Sequence, residues 1–183
     1  MNEPVLKTDS VIDATEHWLD ALVIGLNLCP FARGPRLKNQ IHIVVAEQSD
    51  MAQCLQAFSE EAAKLERGDD QATTLFVLPE GYENFDDYLD LLALSEALLE
   101  DLGFSGILQI ASFHPDYQFE GTSPSDVSNW TNRAPFPILH LLQEESVSKA
   151  VDAHSDPESI PENNIRALEQ LGLSGVLKLL ERP

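Results

Sequence analysis

The densest group of chemically capable side chains lies in residues 113–144. A strand-like run ends in Phe113-His114-Pro115, and a polar loop broken by prolines follows it. The stretch holds two of the five histidines and five further side chains that suit a site: His114, His140, Tyr117, Trp130, Asn132, Arg133 and Glu144. Because little of this composition is typical of core packing, we expect a functional site here.

His114 follows a run that predicts a buried strand, and open α/β sheets bind ligands beside the carboxyl ends of their strands. The 22 residues of 115–136 form a connection longer than most loops without regular structure, which also favours function. We therefore expect His114 to act as general acid or base and Tyr117 to donate a hydrogen bond. The structural alternative is a His114 ring that only hydrogen-bonds a loop carbonyl.

His140 and Glu144 are four residues apart on a helix predicted over residues 137–151, so their side chains would share one face. With His114 as a third ligand, this pair would suit a divalent metal such as zinc or iron. The alternative is a surface ion pair or a helix cap.

Cys29 lies at the end of the first predicted helix and is a candidate nucleophile, with His114 or His140 as its base. A carboxyl-terminal helix end raises a thiol pKa, and Arg33 and Arg36 would offset that effect. The alternative is a cysteine that packs in the core.

Three of the eleven basic residues, Arg33, Arg36 and Lys38, fall within six positions of an acidic chain. Together with Asn132 and Arg133 they would bind a phosphate or carboxylate, since the arginine guanidinium recognises such groups in bidentate fashion. The alternative is charge that complements a helix end, with Arg133 paired to a local acid.

Strand and helix patterns alternate, which predicts an α/β fold with a small, mainly parallel sheet of three to four strands and helices packed around it. An α+β arrangement is the alternative. The predicted helices cover residues 10–28, 50–67, 84–102, 137–151 and 161–171, and the predicted strands cover 41–46, 73–78 and 107–113. Residues 102–110 and 171–179 are similar, so residues 176–180 form either a fourth strand or part of a helix after a shared glycine cap.

The composition indicates one globular domain over residues 1–183, with 43% hydrophobic residues and a net charge of −20. So acidic a chain is a poor partner for nucleic acids and anionic membranes. Residues 1–10 lack a secretory signal, and no run is long enough to span a bilayer, so we expect a cytoplasmic protein. The sequence contains no P-loop, dinucleotide-binding or hydrolase-elbow motif.

Four motifs stand out along the chain: Asn27-Leu-Cys-Pro-Phe-Ala, Phe113-His-Pro-Asp-Tyr-Gln-Phe, Asn132-Arg-Ala-Pro-Phe-Pro-Ile-Leu-His-Leu-Leu and Ile160-Pro-Glu-Asn-Asn-Ile-Arg. Their combination resembles a bacterial family catalogued only as a domain of unknown function. The resemblance implies a bacterial cytoplasmic setting, and it implies no activity, cofactor or catalytic residue.

Two hypotheses follow from the residues. The first is an enzyme that acts on a small anion, with His114 as acid or base and Arg33 and Arg133 as anion ligands. The second is a non-catalytic module that binds a ligand or a protein through the aromatic loop.

Overall fold

The chain folds into α-helices and strands that alternate, and a computed structural model describes residues 7–47, 49–68 and 71–181. The prediction about a secretory signal concerns residues 1–10, of which residues 1–6 lie outside the described range. In chain order the elements are α1 (Thr8–Trp18), a π-helix (Leu19–Ile24), α2 (Arg33–Leu37), β1 (Ile41–Val45), α3 (Met51–Arg67), β2 (Thr73–Val77), α4 (Phe85–Asp101), β3 (Leu108–Phe113), a 3₁₀ helix (Val127–Thr131), β4 (Ile138–Gln143), α5 (Glu144–Asp152), a second 3₁₀ helix (Pro157–Ser159) and α6 (Ile160–Leu180).

The strands form one open sheet in the order β1-β2-β4-β3. β1 and β2 are parallel, whereas β4 is antiparallel to both of its neighbours. Because β4 opposes both β2 and β3, the strands β1, β2 and β3 all run in one direction. The α/β prediction is confirmed, with four strands and helices around them.

Strand β4 corrects the sequence prediction of a helix over residues 137–151. Residues 138–143 instead hydrogen-bond to β2 on one side and to β3 on the other, and α5 begins only at Glu144. The local sequence is rich in leucine, which suits a helix, but pairing on both edges overrides that preference. His140 and Glu144 therefore do not share a helix face, and the pairing proposed for a metal was wrong.

Each face of the sheet packs against its own set of helices, because successive strand residues point to opposite sides. On one face, Phe76, Leu139 and Leu141 pack with α3 and α4. On the other face, Leu75 and Ile138 pack with α1, the π-helix and α6. Among the described residues no helix combines the length and apolar character needed to cross a membrane.

Several helix ends follow local sequence signals. The Asp50 side chain accepts a hydrogen bond from the Gln53 amide at the start of α3, and the Asn84 side chain caps α4. Gly103, after α4, and Gly172, within α6, both have positive φ, at 79° and 69°. The repeated Leu-Gly sequence thus marks two glycine turns, and residues 176–180 are helical.

The buried Tyr88 side chain ties β3 to β4, since its hydroxyl donates to the Ile138 carbonyl (2.7 Å) and accepts from the Phe113 amide (3.1 Å). We expect Tyr88→Phe to lower the free energy of unfolding by about 2 kcal/mol, because one buried carbonyl and one part-buried amide lose their partner. Urea denaturation measures the change. Tyr117→Phe is the control, since the Tyr117 hydroxyl has no hydrogen bond to the described residues, and an equal loss in both variants would contradict this role.

Candidate functional site

A cavity of about 350 Å³ lies between the sheet face that carries Leu75 and the elements that cover it. Its floor consists of residues from all four strands, including Ile41, Leu75, Ala111 and Leu142. Leu75 on β2 and Ala111 on β3 are both paired with His140 on β4, one at each edge of that strand. Paired residues point to the same face of a sheet, so these side chains lie together. The cavity is therefore a gap between two layers of the fold, which we call the sheet cavity.

The walls of the sheet cavity come from helices and from the turn after the first helical segment. Trp18 and Leu19 contribute from the junction of α1 and the π-helix, Phe31 from the turn, and Val147 and Ala150 from α5. π-helical turns within helices are frequent at functional sites. The lining is almost wholly apolar, and among the described residues no lysine, arginine, aspartate or glutamate belongs to it.

Most polar side chains of the sheet cavity already have partners. The Trp18 indole nitrogen donates to the Arg133 carbonyl (2.9 Å). The Gln143 amide donates to the Leu65 carbonyl (2.9 Å) and accepts from the Ser146 hydroxyl (3.0 Å). These groups shape the cavity and leave little hydrogen-bonding capacity for a ligand.

His140 differs, because only one of its ring nitrogens is bonded. Its Nε2 lies 2.6 Å from the Thr73 hydroxyl oxygen, and that hydroxyl donates to the Leu141 carbonyl, also at 2.6 Å. With its single proton committed, the hydroxyl accepts from His140 Nε2–H. The proton is thereby fixed on Nε2, and Nδ1, with no partner among the described residues, keeps a free lone pair.

Burial lowers the pKa of His140 to about 4. No acidic side chain of the described residues lines the cavity to stabilise the imidazolium, and desolvation sets the direction of the shift. His140 is consequently neutral near pH 7 and presents an acceptor, not a positive charge.

Cys29 also lines the sheet cavity, as a protonated thiol. Burial raises its pKa, while hydrogen bonds from the backbone of Phe31 and Ala32 lower it to a smaller extent. The two arginines expected to lower the thiol pKa have other environments. Arg33 is exposed, and Arg36 forms ion pairs with Glu16 and Asp20 at 2.8 Å.

His114 is fully buried and belongs to the fold rather than to an accessible site. Its Nδ1 accepts from the Asp116 amide (3.0 Å), so Nε2 carries the proton and donates to the Tyr82 carbonyl (2.9 Å). Burial lowers its pKa. With both nitrogens bonded and the ring packed against Tyr88, the expected general acid–base role has no free atom to perform it.

The long loop is held by the residues that the sequence suggested for anion binding. The Arg133 guanidinium donates to the Tyr117 carbonyl (3.0 Å) and the Pro124 carbonyl (2.9 Å) and lies over the Trp130 ring. The Asn132 amide donates to the Ser112 carbonyl (3.0 Å). Arg133 thus satisfies loop carbonyls and Asn132 ties the loop to β3, while Arg33, exposed on α2, lies outside the cavity lining.

Tyr117 and Asn129 also stabilise this loop, and Asn129 was not identified from the sequence. The Tyr117 ring packs against Phe85 and Phe119. Buried Asn129 accepts from the Phe119 amide and donates to the Ser123 carbonyl. Its position between Asp126 and Trp130 resembles an ordinary polar turn, so no sequence signal distinguished it.

The metal hypothesis has no support in the described residues. Within residues 7–47, 49–68 and 71–181, no three His, Cys, Asp or Glu side chains are grouped to hold a metal ion. His140 uses one nitrogen on Thr73, His114 uses both on backbone, and Glu144 begins α5. The structure therefore brings together Cys29 and His140 but not the proposed ligand set.

Comparison with known proteins gives a family and no activity. No match was found among the curated proteins, and none was found among the solved structures. The family model described as "Protein of unknown function (DUF1415)" matches residues 10–178. Because this match covers most of its length, the chain belongs to that family.

Proposed function

We propose that the protein binds a small, uncharged, largely apolar molecule in the sheet cavity. The observation that carries the proposal is the cavity itself, whose volume of about 350 Å³ lies within the range of small-molecule sites. By proportion to a 150 Å³ cavity that holds benzene, it would accommodate roughly a dozen non-hydrogen atoms.

The lining favours an uncharged ligand over the anion that the sequence indicated. An anion buried here would find no basic side chain within the described part of the chain, and burying an unpaired charge is strongly unfavourable. The same chemistry weighs against acid–base catalysis, because effective catalytic groups titrate near the working pH. The pKa of His140 lies well below that range, and the pKa of Cys29 is raised.

The proposal predicts that p-xylene binds to the wild-type protein with a Kd of about 10 µM to 1 mM. This range reflects burial of an apolar molecule at about 25 cal/mol per Å² minus the free energy needed to immobilise it. Ala111→Leu places a larger side chain on the cavity floor and should weaken binding at least tenfold. Isothermal titration calorimetry measures both values.

Two further variants make this experiment decisive. Ala150→Leu fills the cavity from α5, so it repeats the test from the opposite wall. Ala52→Leu makes the same change at an exposed position of α3 and should leave binding unchanged. Absence of p-xylene binding to the wild type, or unchanged binding in both filled variants, would refute the proposal.

A further inference from the structure

We infer that the ligand of the sheet cavity carries a hydroxyl or N–H group on its apolar skeleton, and that this group donates a hydrogen bond to His140 Nδ1. The inference rests on the proposed function and names the class of ligand: a small apolar alcohol, a phenol or an aromatic amine such as an indole.

The first step is the state of the polar atoms around the cavity. Three lining side chains contain nitrogen: Trp18, His140 and Gln143. The Trp18 indole and the Gln143 amide donate to backbone carbonyls. His140 Nδ1 is the one nitrogen among them without a partner in the described part of the chain.

The second step is the proton arrangement that the Thr73 hydroxyl imposes. If the hydroxyl donated to His140 Nε2, the ring proton would lie on Nδ1 and would need an acceptor in an apolar cavity. The Leu141 carbonyl, 2.6 Å from the hydroxyl, removes that option by accepting the hydroxyl proton. Thr73 thus acts as a positioning residue that keeps Nδ1 an acceptor.

The third step is selectivity. His140 is only partly buried, so a ligand that displaces solvent from Nδ1 must supply a donor in its place. A ligand that supplies this donor gains relative to one of equal shape that does not. The low pKa of His140 supports this step, because the ring stays neutral and cannot itself become the donor at neutral pH. A ligand with only an acceptor, such as an ether, gains nothing at Nδ1.

The test compares p-cresol with p-xylene, which has the same shape and no donor, and with 4-methylanisole, which has an oxygen and no donor. The measured quantity is the preference, defined as the Kd of p-xylene divided by the Kd of p-cresol. We expect His140→Phe to lower this preference about 3- to 10-fold, the equivalent of one hydrogen bond. 4-Methylanisole should follow p-xylene in both proteins.

Thr73→Val supplies a second variant that keeps the His140 ring. Without the hydroxyl, Nε2–H loses its acceptor and the ring proton is no longer fixed, so the preference should fall by about twofold or more. Ala52→Leu should leave the preference at its wild-type value.

The outcomes separate the two proposals. If p-xylene and p-cresol both bind and the preference is the same in wild type, His140→Phe and Thr73→Val, the cavity binds apolar ligands but His140 does not select them. That result would overturn the inference alone. If neither compound binds to the wild type, the proposed function fails and the inference fails with it.

Discussion

His114→Ala is expected to lower the free energy of unfolding by about 3–5 kcal/mol, although His114 was the leading catalytic candidate. The substitution removes a fully buried ring that packs between Phe85 and Tyr88. It also leaves the Tyr82 carbonyl and the Asp116 amide without their partner. Loss of a large buried side chain, of one buried hydrogen bond and of one part-buried hydrogen bond accounts for the size of the effect. Urea denaturation at pH 7 measures it.

The control is His42→Ala, which removes an exposed histidine from β1 and should change the free energy of unfolding by less than about 1 kcal/mol. A catalytic His114 would give the opposite pattern, with stability nearly unchanged. Binding of p-xylene to the folded fraction of His114→Ala should equal that of the wild type, since His114 does not line the sheet cavity.

Local sequence signals predicted three of the four strands and most of the helices. Strands β1, β2 and β3 are short apolar runs bounded by turns, and α3 and α4 begin at the capping residues Asp50 and Asn84. Strand β4 could not be predicted in this way. Its sequence, Ile-Leu-His-Leu-Leu-Gln, becomes a strand because β2 and β3 supply hydrogen bonds on both edges, which is a property of the tertiary structure.

The candidate site was predicted in part. Cys29 and His140 were named from the sequence, and both line the sheet cavity. Thr73, 67 positions before His140 in the chain, was not named, because a threonine in an apolar strand has the appearance of ordinary β-structure. Its role depends on the register between β2 and β4, which the sequence does not specify.

The two histidines show why residue type alone was insufficient. His114 and His140 both have lowered pKa values because of burial. They differ in the second nitrogen, which is bonded to the Asp116 amide in His114 and has no described partner in His140. His114 is fully buried with both ring nitrogens bonded, whereas His140 is partly buried and keeps one nitrogen available to a ligand.

The low pKa of His140 predicts a loss of stability in mild acid. Because the folded pKa, about 4, lies below the ordinary value of 6.5, the unfolded chain binds the proton more tightly. The contribution of neutral His140 to the free energy of unfolding is complete above pH 6.5 and declines as the pH falls towards 4. Below pH 4, His140 is protonated in both the folded and the unfolded state. Between pH 7 and pH 5 we expect this residue to remove about 2 kcal/mol from the free energy of unfolding.

The measurement compares the pH dependence of two proteins, since Asp126, Glu145 and His114 also have lowered pKa values and contribute to it. Urea denaturation of the wild type and of His140→Phe at pH 7 and pH 5 gives four free energies of unfolding. The loss between the two pH values should be about 2 kcal/mol larger in the wild type, because the other groups titrate alike in both proteins. Equal losses would mean that His140 is readily protonated in the folded state. In that case Nδ1 would carry a proton at pH 5, and the preference for p-cresol over p-xylene should disappear at that pH.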